Sequence, residues 1–226
     1  MLSENRGSPP GAIPHRFVVI EGPIGVGKTS LAKRLCTNLG AQGVFEQAAQ
    51  NPFLERFYKN PRAGALPTQL YFLLQRAQQL AALKQADLFT TVRVADYLLE
   101  KDRLFARVTL DDAEYALYEQ LYSKLDIQAP KPDLVVYLQA PVDVLLERIA
   151  RRGVDYEQHI DRQYLERLNQ AYARFFHEFE AAPLLIVNAA SIDPIANQRD
   201  YDELLAAIRR MSRGRLYYNP LRSRTI

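Results

Sequence analysis

The stretch from Phe17 to Ser30 reads FVVIEGPIGVGKTS, and the organisation of the rest of the chain depends on it. Its first residues form an apolar run that is typical of a buried strand. The residues after that run fit the pattern G-x-x-x-x-G-K-[ST], and the apolar residues Leu31, Leu35 and Leu39 then recur at helical spacing. A strand, this loop and a helix in that order are the setting in which a phosphate-binding P-loop works.

Each part of this loop has a physical role. The glycines let the backbone curve, so that successive N–H groups can point at phosphate oxygens, and the positive end of the helix dipole adds to the attraction. Lys28 is expected to contact the β- and γ-phosphates, and the Thr29 hydroxyl to ligate Mg²⁺. The sequence therefore predicts a nucleoside triphosphate site formed by Gly22, Gly25, Val26, Gly27, Lys28, Thr29 and Ser30. Because kinases, GTPases, motors and regulatory proteins share this motif, it does not decide the reaction.

Composition limits the remaining possibilities. The chain has 226 residues, which suits one α/β domain, and a net charge of +3, which does not suggest a nucleic-acid partner. Neither a membrane-spanning run nor a signal-peptide pattern is evident, so no membrane partner is expected. The single cysteine, Cys36, cannot form an internal disulfide, which favours a cytoplasmic location. The three histidines lack the spacing of a zinc site.

Strand-like and helix-like segments alternate along the chain. Five strands are expected near residues 17–20, 43–46, 91–96, 134–138 and 184–187. This alternation predicts a parallel sheet with helices on both faces, and active sites in such sheets lie beyond the carboxyl ends of the strands. Glu46 and Asp96 end the second and third strands, so we expect both to converge on the P-loop.

Several further segments share their order and spacing with one family. They are the P-loop, Glu46 with Asn51–Leu54, Phe57–Tyr58, Ala95–Tyr97 with Phe105–Ala106, and Leu146–Ile149 leading to Arg152, Gly153 and Glu157. From about Phe17 to Leu205 the chain resembles the P-loop deoxynucleoside kinases, most closely the bacterial deoxyguanosine and deoxyadenosine kinases. The resemblance implies a three-layer P-loop kinase-type fold with a five-stranded parallel sheet and a short arginine-containing lid. It also implies ATP and Mg²⁺ as cofactors, and a kinase domain at 16–212 between a flexible extension at 1–15 and a basic tail at 213–226.

The resemblance also implies roles for residues of the acceptor site. Glu46 matches the carboxylate that accepts the proton of the nucleoside 5′-hydroxyl. Tyr58 and Glu157 match a pair that holds the deoxyribose 3′-hydroxyl. Gln69 matches a glutamine that reads the base, and Arg76 matches an arginine two helical turns away on the same face.

The lid of such kinases is implied to lie in the basic run before Gly153. Arg148 and Arg152 would close over the triphosphate and act with Lys28 on the charge that develops during transfer. Val154 stands where these kinases commonly have an arginine, so Arg151 or Arg152 would have to take over its role.

The segment after the third strand also departs from the family. Many members have an acid-Arg-Ser triplet there, whereas this chain has Ala95-Asp96-Tyr97. Asp96 therefore falls one position from the usual carboxylate, and the expected arginine is missing. Lys101 replaces an aspartate that pairs with the base in several relatives, so it is expected to offer donors to the base.

Together these features predict a Mg²⁺- and ATP-dependent kinase acting on the 5′-hydroxyl of a deoxynucleoside, for nucleotide salvage. Deoxyguanosine is expected to be preferred, then deoxyadenosine, with the pyrimidines behind, because Arg76 and Lys101 offer donors that suit O6 of guanine. A homodimer is expected through wide apolar faces that include Leu73, Leu80, Leu117 and Leu121. Two alternatives stay open, namely a nucleoside monophosphate kinase and a non-catalytic P-loop regulatory protein.

Overall fold

The computed structural model describes residues 13–85, 92–125, 127 and 129–220. Its strands are β1 Phe17–Glu21, β2 Gln42–Val44, β3 Arg93–Ala95, β4 Leu134–Gln139, β5 Leu184–Asn188 and β6 Arg215–Tyr218. Its helices are α1 Lys28–Leu39, α2 Leu54–Lys59, α3 Pro61–Gln85, α4 Lys101–Thr109, α5 Asp112–Lys124, α6 Val142–Arg152, α7 Arg162–Glu178 and α8 Gln198–Arg210. Short 3₁₀ helices lie at Ala48–Gln50 and Asp155–His159.

The strands form one parallel sheet in the order β2-β3-β1-β4-β5-β6. Because β1 lies in the middle, the loop that follows it opens at the carboxyl edge of the sheet between two neighbouring strands. This is where parallel α/β sheets bind their ligands. The expected α/β fold is confirmed, apart from the number of strands.

The described ranges of the chain form a sheet of six strands, so the prediction of five strands is wrong. The additional strand, β6, pairs with β5 from Leu184 opposite Arg215 to Val187 opposite Tyr218. This strand lies within residues 213–226, which the sequence analysis predicts to be a basic tail. Its four residues, which follow Gly214, carry little sequence signal for a strand. Of the predicted extension at 1–15, residues 1–12 lie outside the described part; His15 is buried and contacts the carbonyl oxygen of Ile208 at 3.1 Å.

Helices cover both faces of the sheet. On one face α1 packs against β1, β2 and β3, and its Arg34 lies 4.1 Å from the ring of Tyr201 in α8. On the other face Phe176 of α7 stacks on Tyr137 of β4, with 4.0 Å between the ring centroids. None of the helices in the described ranges is both long and apolar enough to cross a membrane.

Most helix boundaries follow local signals. Gly153 ends α6 with φ of +66°, and Asp111 and Glu114 form a capping box at the start of α5. The helix α3 begins at Pro61, in keeping with the preference for proline in the first helical turn, and it also contains Pro67.

Candidate active site

The loop after β1 has the backbone of a phosphate cradle. Gly22 has φ of +149°, and a Cβ there would lie 2.4 Å from the carbonyl oxygen of Leu138. Gly25 has φ of +84°, and a Cβ there would lie 2.8 Å from the side chain of Ile149. A larger residue at either position would therefore push the loop away from β4 or α6. Gly27 precedes the first turn of α1 and has no side chain to cap it, so the N–H groups of that turn are left for a ligand.

Lys28 lies across this loop. Its ammonium group donates hydrogen bonds to the carbonyl oxygens of Gly22, at 2.7 Å, and Pro23, at 3.1 Å. Burial and, to a smaller extent, the positive charge of Lys101 together lower the pKa of Lys28 to about 8, against the opposing effect of nearby carboxylates. A partly buried ammonium with a lowered pKa is suited to an anionic ligand.

The loop opens into a cleft of about 500 Å³. One end of the cleft is formed by the P-loop, by arginines of α6 and by the segment from Ile192 to Ala196. The other end is formed by side chains from α2, α3, α4 and α7, together with Glu46 and Glu157. A single cleft thus joins an anion-binding end to a second end that combines aromatic rings, an amide and carboxylates.

Glu46 belongs to the second end of the cleft and is held by two cations. Arg76 pairs with its Oε1 atom, and the Lys101 ammonium donates to its Oε2 atom at 2.8 Å. Burial raises the pKa of Glu46, but Arg76 and Lys101 outweigh burial and hold that pKa well below its usual value. Glu46 is therefore ionised at neutral pH and acts as an acceptor of hydrogen bonds.

The same arginine has a second acidic partner, Asp102, in the first turn of α4. Arg76 donates to Asp102 through its other terminal nitrogen, and Asp102 has no exposed surface. Burial raises the pKa of Asp102 to about 6, although the charge of Arg76 opposes this shift. Glu46 and Asp102 in turn raise the pKa of Arg76 despite its burial, so the guanidinium remains charged and fixed.

Asp96 connects the P-loop to Glu46. Its carboxylate accepts a hydrogen bond from the Thr29 hydroxyl, and it also accepts one from the backbone N–H of Glu46 at 2.8 Å. Asp96 is 1% exposed and lies behind the wall of the cleft. It therefore orients one side chain of the P-loop and the backbone of Glu46 at the same time.

Three further predicted residues lie at the second end of the cleft. The ring of Tyr58 is stacked on that of Tyr156, with 6.2 Å between centroids and 9° between planes. Glu157 is largely buried and pairs with Arg152. Gln69 is 2% exposed, and within the described residues its amide has no hydrogen-bond partner. The amide of Gln69 is thus available to a ligand in the cleft.

The predicted lid residues lie over the P-loop. Arg148 donates to the carbonyl oxygens of Val26, at 3.0 Å, and Ala189, at 2.7 Å. Arg151 and Arg152 lie one turn further along α6, and both line the cleft. The ion pair between Arg152 and Glu157 connects the lid to the second end of the cleft.

The structure brings the predicted residues to one site, with two of them behind its wall. Gly22 and Asp96 lie behind the wall, and the other predicted residues line it. The contacts of Lys101 differ from those expected, because its ammonium is held by Glu46. Asp102 and Glu21 were missed. An acidic residue in the first turn of a helix is ordinary in sequence, and only the fold reveals the partners of these two carboxylates.

Comparison with known proteins agrees with this geometry. A family model described as deoxynucleoside kinase matches residues 18–212. A deoxyguanosine kinase of Bacillus subtilis (strain 168) is 32% identical over 200 residues, which cover 86% of this chain and 97% of the relative. A deoxyadenosine kinase of Lactobacillus acidophilus (strain ATCC 700396 / NCK56 / N2 / NCFM) is 30% identical over 208 residues, which cover 85% and 94% respectively.

Solved structures give the same result for the fold. The structure of deoxyadenosine kinase from M. mycoides with bound dATP superposes with a TM-score of 0.73 at 26% identity, and the match covers 85% of this chain and 98% of that one. The family match spans most of the chain. The phosphate-binding loop of this chain and its Glu46 line the same cleft. The chain therefore belongs to the deoxynucleoside kinase family and is an enzyme that transfers a phosphoryl group to a deoxynucleoside.

Proposed function

We propose that this enzyme uses ATP and Mg²⁺ to phosphorylate the 5′-hydroxyl of a purine deoxynucleoside, with deoxyguanosine preferred to deoxyadenosine and pyrimidines behind, in nucleotide salvage. The observation that carries the proposal is the position of Glu46. Its ionised carboxylate lies in one cleft with Lys28 of the P-loop and with the amide of Gln69, which has no hydrogen-bond partner in the described part of the chain. The similarity to deoxyguanosine and deoxyadenosine kinases supports the choice of purines.

The residues at the P-loop end fit a magnesium-bound triphosphate. A Cβ would fill the cradle at Gly22 and Gly25, the ammonium of Lys28 has a lowered pKa, and the Thr29 hydroxyl is already oriented by Asp96. When bound, Mg–ATP would supply the phosphoryl group and reduce the negative charge around it. Thr29 would hold the metal, and Lys28 and the loop N–H groups would hold the phosphates.

Glu46 would act on the acceptor. Since its pKa is held well below the usual value, it is too weak a base to remove a proton from a free alcohol before transfer begins. Its role would be to accept the hydrogen bond of the 5′-hydroxyl and to orient that oxygen. This is sufficient for a loose phosphoryl transfer, which depends on positioning more than on prior ionisation.

The sugar and the lid would be coupled. Tyr58 and Glu157 line the end of the cleft where the deoxyribose would lie, and Glu157 is paired with Arg152. A 3′-hydroxyl bound to Glu157 would compete with Arg152 for the same carboxylate. Release of Arg152 would then give the lid a further cation for the developing charge on the phosphoryl oxygens.

Gln69, rather than Lys101, is the residue that we expect to select the base. Lys101 is committed to Glu46, and both terminal nitrogens of Arg76 are committed to carboxylates. Gln69 has both a donor and an acceptor to offer to a base edge. The order of guanine before adenine is supported by the similarity to a deoxyguanosine kinase that is 32% identical to this chain.

Replacing Gln69 with leucine tests this assignment. We expect kcat/KM for deoxyguanosine to fall by about tenfold or more, because the base edge would lose its partner in a buried site. Steady-state kinetics on deoxyguanosine, deoxyadenosine, thymidine and deoxycytidine measure the effect. Gln78→Leu is the matched control, since Gln78 lies on the exposed side of the same helix. Equal kinetics in both variants, or a wild-type preference for a pyrimidine, would contradict the proposed base site.

We also propose that the enzyme is a homodimer. Leu74 of α3 and Leu117, Leu121 and Leu125 at α5 are 37–51% exposed. Leu73 and Leu80, which the sequence analysis included in this face, are instead 1% and 5% exposed because they pack inside the chain. A face of exposed leucines on neighbouring helices favours a second copy, because two-fold pairing is the commonest form of self-association.

Light scattering tests the dimer. At micromolar protein we expect a mass of twice the 25.8 kDa of the chain. The double variant Leu117→Glu, Leu121→Glu should return the monomer mass, because two carboxylates cannot be buried against their own copies. Leu216→Glu, at an exposed leucine on β6, should leave the mass unchanged. A monomeric wild type would rule out this interface.

A further inference from the structure

Glu21, the last residue of β1, has its carboxylate buried beneath the cleft. It is 1% exposed and does not line the cavity. Its Oε1 atom accepts hydrogen bonds from the backbone N–H of Gly22, at 2.8 Å, and from the Tyr172 hydroxyl, at 3.0 Å. Its Oε2 atom accepts a hydrogen bond from the backbone N–H of Leu98, at 2.8 Å. None of these three partners lines the cleft, so direct contact with a ligand does not explain a carboxylate at this position.

The two backbone partners of Glu21 belong to the two segments that must be aligned for transfer. Gly22 begins the P-loop, and Leu98 lies two residues after Asp96 in the segment that follows β3. Asp96 in turn holds the Thr29 hydroxyl and the backbone N–H of Glu46. One buried carboxylate thus joins the phosphate-binding side of the site to the residues that face the acceptor.

We propose that Glu21 is a positioning residue for phosphoryl transfer, because its two backbone hydrogen bonds fix the P-loop relative to the segment Asp96–Leu98. The proposal rests on the proposed roles of Thr29 and Glu46 in binding the metal and the 5′-hydroxyl. In this arrangement Glu21 contacts neither substrate. It sets the separation between the residues that contact the two substrates. A shift of about 1 Å in such a separation can lower the rate of transfer about 10²-fold.

A carboxylate is the side chain that can do this. Both of its oxygens accept hydrogen bonds, and they face N–H groups on opposite sides. A glutamine of the same shape has one oxygen and one NH₂ group, so in either orientation its NH₂ group meets a backbone N–H. Glu21→Gln therefore removes one of the two backbone connections without leaving a cavity.

The test combines kinetics with amide hydrogen exchange of the enzyme without nucleotide. We expect Glu21→Gln to lower kcat by about tenfold to 10²-fold, while KM for deoxyguanosine stays within about threefold because the base and sugar contacts are distant. In the variant, at least one of the amides of Gly22 and Leu98 should exchange about tenfold faster, whereas amides of α7 and α8 should keep their wild-type rates.

Tyr172→Phe is the matched control, since it removes one hydrogen bond to the same carboxylate but leaves both backbone connections. Its kcat should stay within about twofold of the wild type. A kcat for Glu21→Gln close to that of the wild type, or an equal loss in both variants, would overturn the proposal.

The amide hydrogen-exchange measurement does not depend on catalytic activity. If Glu21→Gln does not fold, the wild type still decides, because slow exchange of Gly22 and Leu98 supports the proposal and fast exchange at both overturns it. Failure of the proposed function would show as no turnover of any deoxynucleoside by the wild type. In that case the exchange rates still report whether Glu21 fixes the two segments.

Discussion

Replacing Lys28 with alanine is expected to abolish turnover, with kcat/KM falling by about 10³-fold or more, because charge stabilisation is most of what a protein contributes to phosphoryl transfer. The ammonium of Lys28 lies across the phosphate loop, where it donates hydrogen bonds to two carbonyl oxygens of that loop. Its removal leaves no cavity in the core, so the circular dichroism spectrum and the Tm should stay close to those of the wild type. Coupled-enzyme kinetics with ATP and deoxyguanosine measure the loss.

Lys33→Ala provides the matched control for this variant. Lys33 lies on the exposed side of the same helix, α1, and its ammonium faces the ring of Phe45 at 5.8 Å. We expect its kinetics to match the wild type. Unchanged activity in a folded Lys28→Ala protein would rule out the role assigned to the P-loop.

Replacing Glu46 with glutamine is expected to lower kcat by about 10²–10⁴-fold, the range usual for a positioned acid or base, with only a modest change in KM. The amide keeps the shape of the side chain, but it cannot serve as an ionised acceptor for both the 5′-hydroxyl and Lys101. Since the pKa of Glu46 lies well below its usual value, the carboxylate stays charged from neutral pH down to pH 5, so its loss should be equally severe across that range.

Glu55→Gln is the control for the charge change. Glu55 is an exposed residue of α2 that pairs with Lys59 at 2.6 Å, and its substitution should leave kcat unaffected. A Glu46→Gln enzyme with a kcat near that of the wild type would make Glu46 a bystander. A loss confined to KM would assign it to substrate binding alone.

The sequence predicted those parts of the fold that depend on local chemistry. The strand, loop and helix around Lys28 are local features, and α6 is bounded by local signals, since Pro141 precedes it and Gly153 ends it. The strand β6 could not be foreseen, because Arg215–Tyr218 is exposed over most of its length and is defined by its pairing with β5. Its existence depends on a distant strand rather than on its own residues.

The same distinction holds for the candidate site. Glu46 and Gln69 could be assigned from the order and spacing of segments along the chain. The contacts of Lys101 could not be predicted in this way. Its neighbour Asp102 pairs with one terminal nitrogen of Arg76, and Glu46 pairs with both Arg76 and Lys101. Glu21 was also missed as a separate feature, since its partners lie 77 and 151 residues away in the chain.

An assay of the purified enzyme with ATP and Mg²⁺ against the four deoxynucleosides and their monophosphates tests the proposed function. We predict phosphorylation of deoxyguanosine first and deoxyadenosine second, with the 5′-monophosphate as product and no turnover of the monophosphates. Glu46 supports this outcome, because a carboxylate at the acceptor end of the cleft suits a hydroxyl and repels a phosphate. Turnover of a monophosphate without turnover of any deoxynucleoside would contradict it.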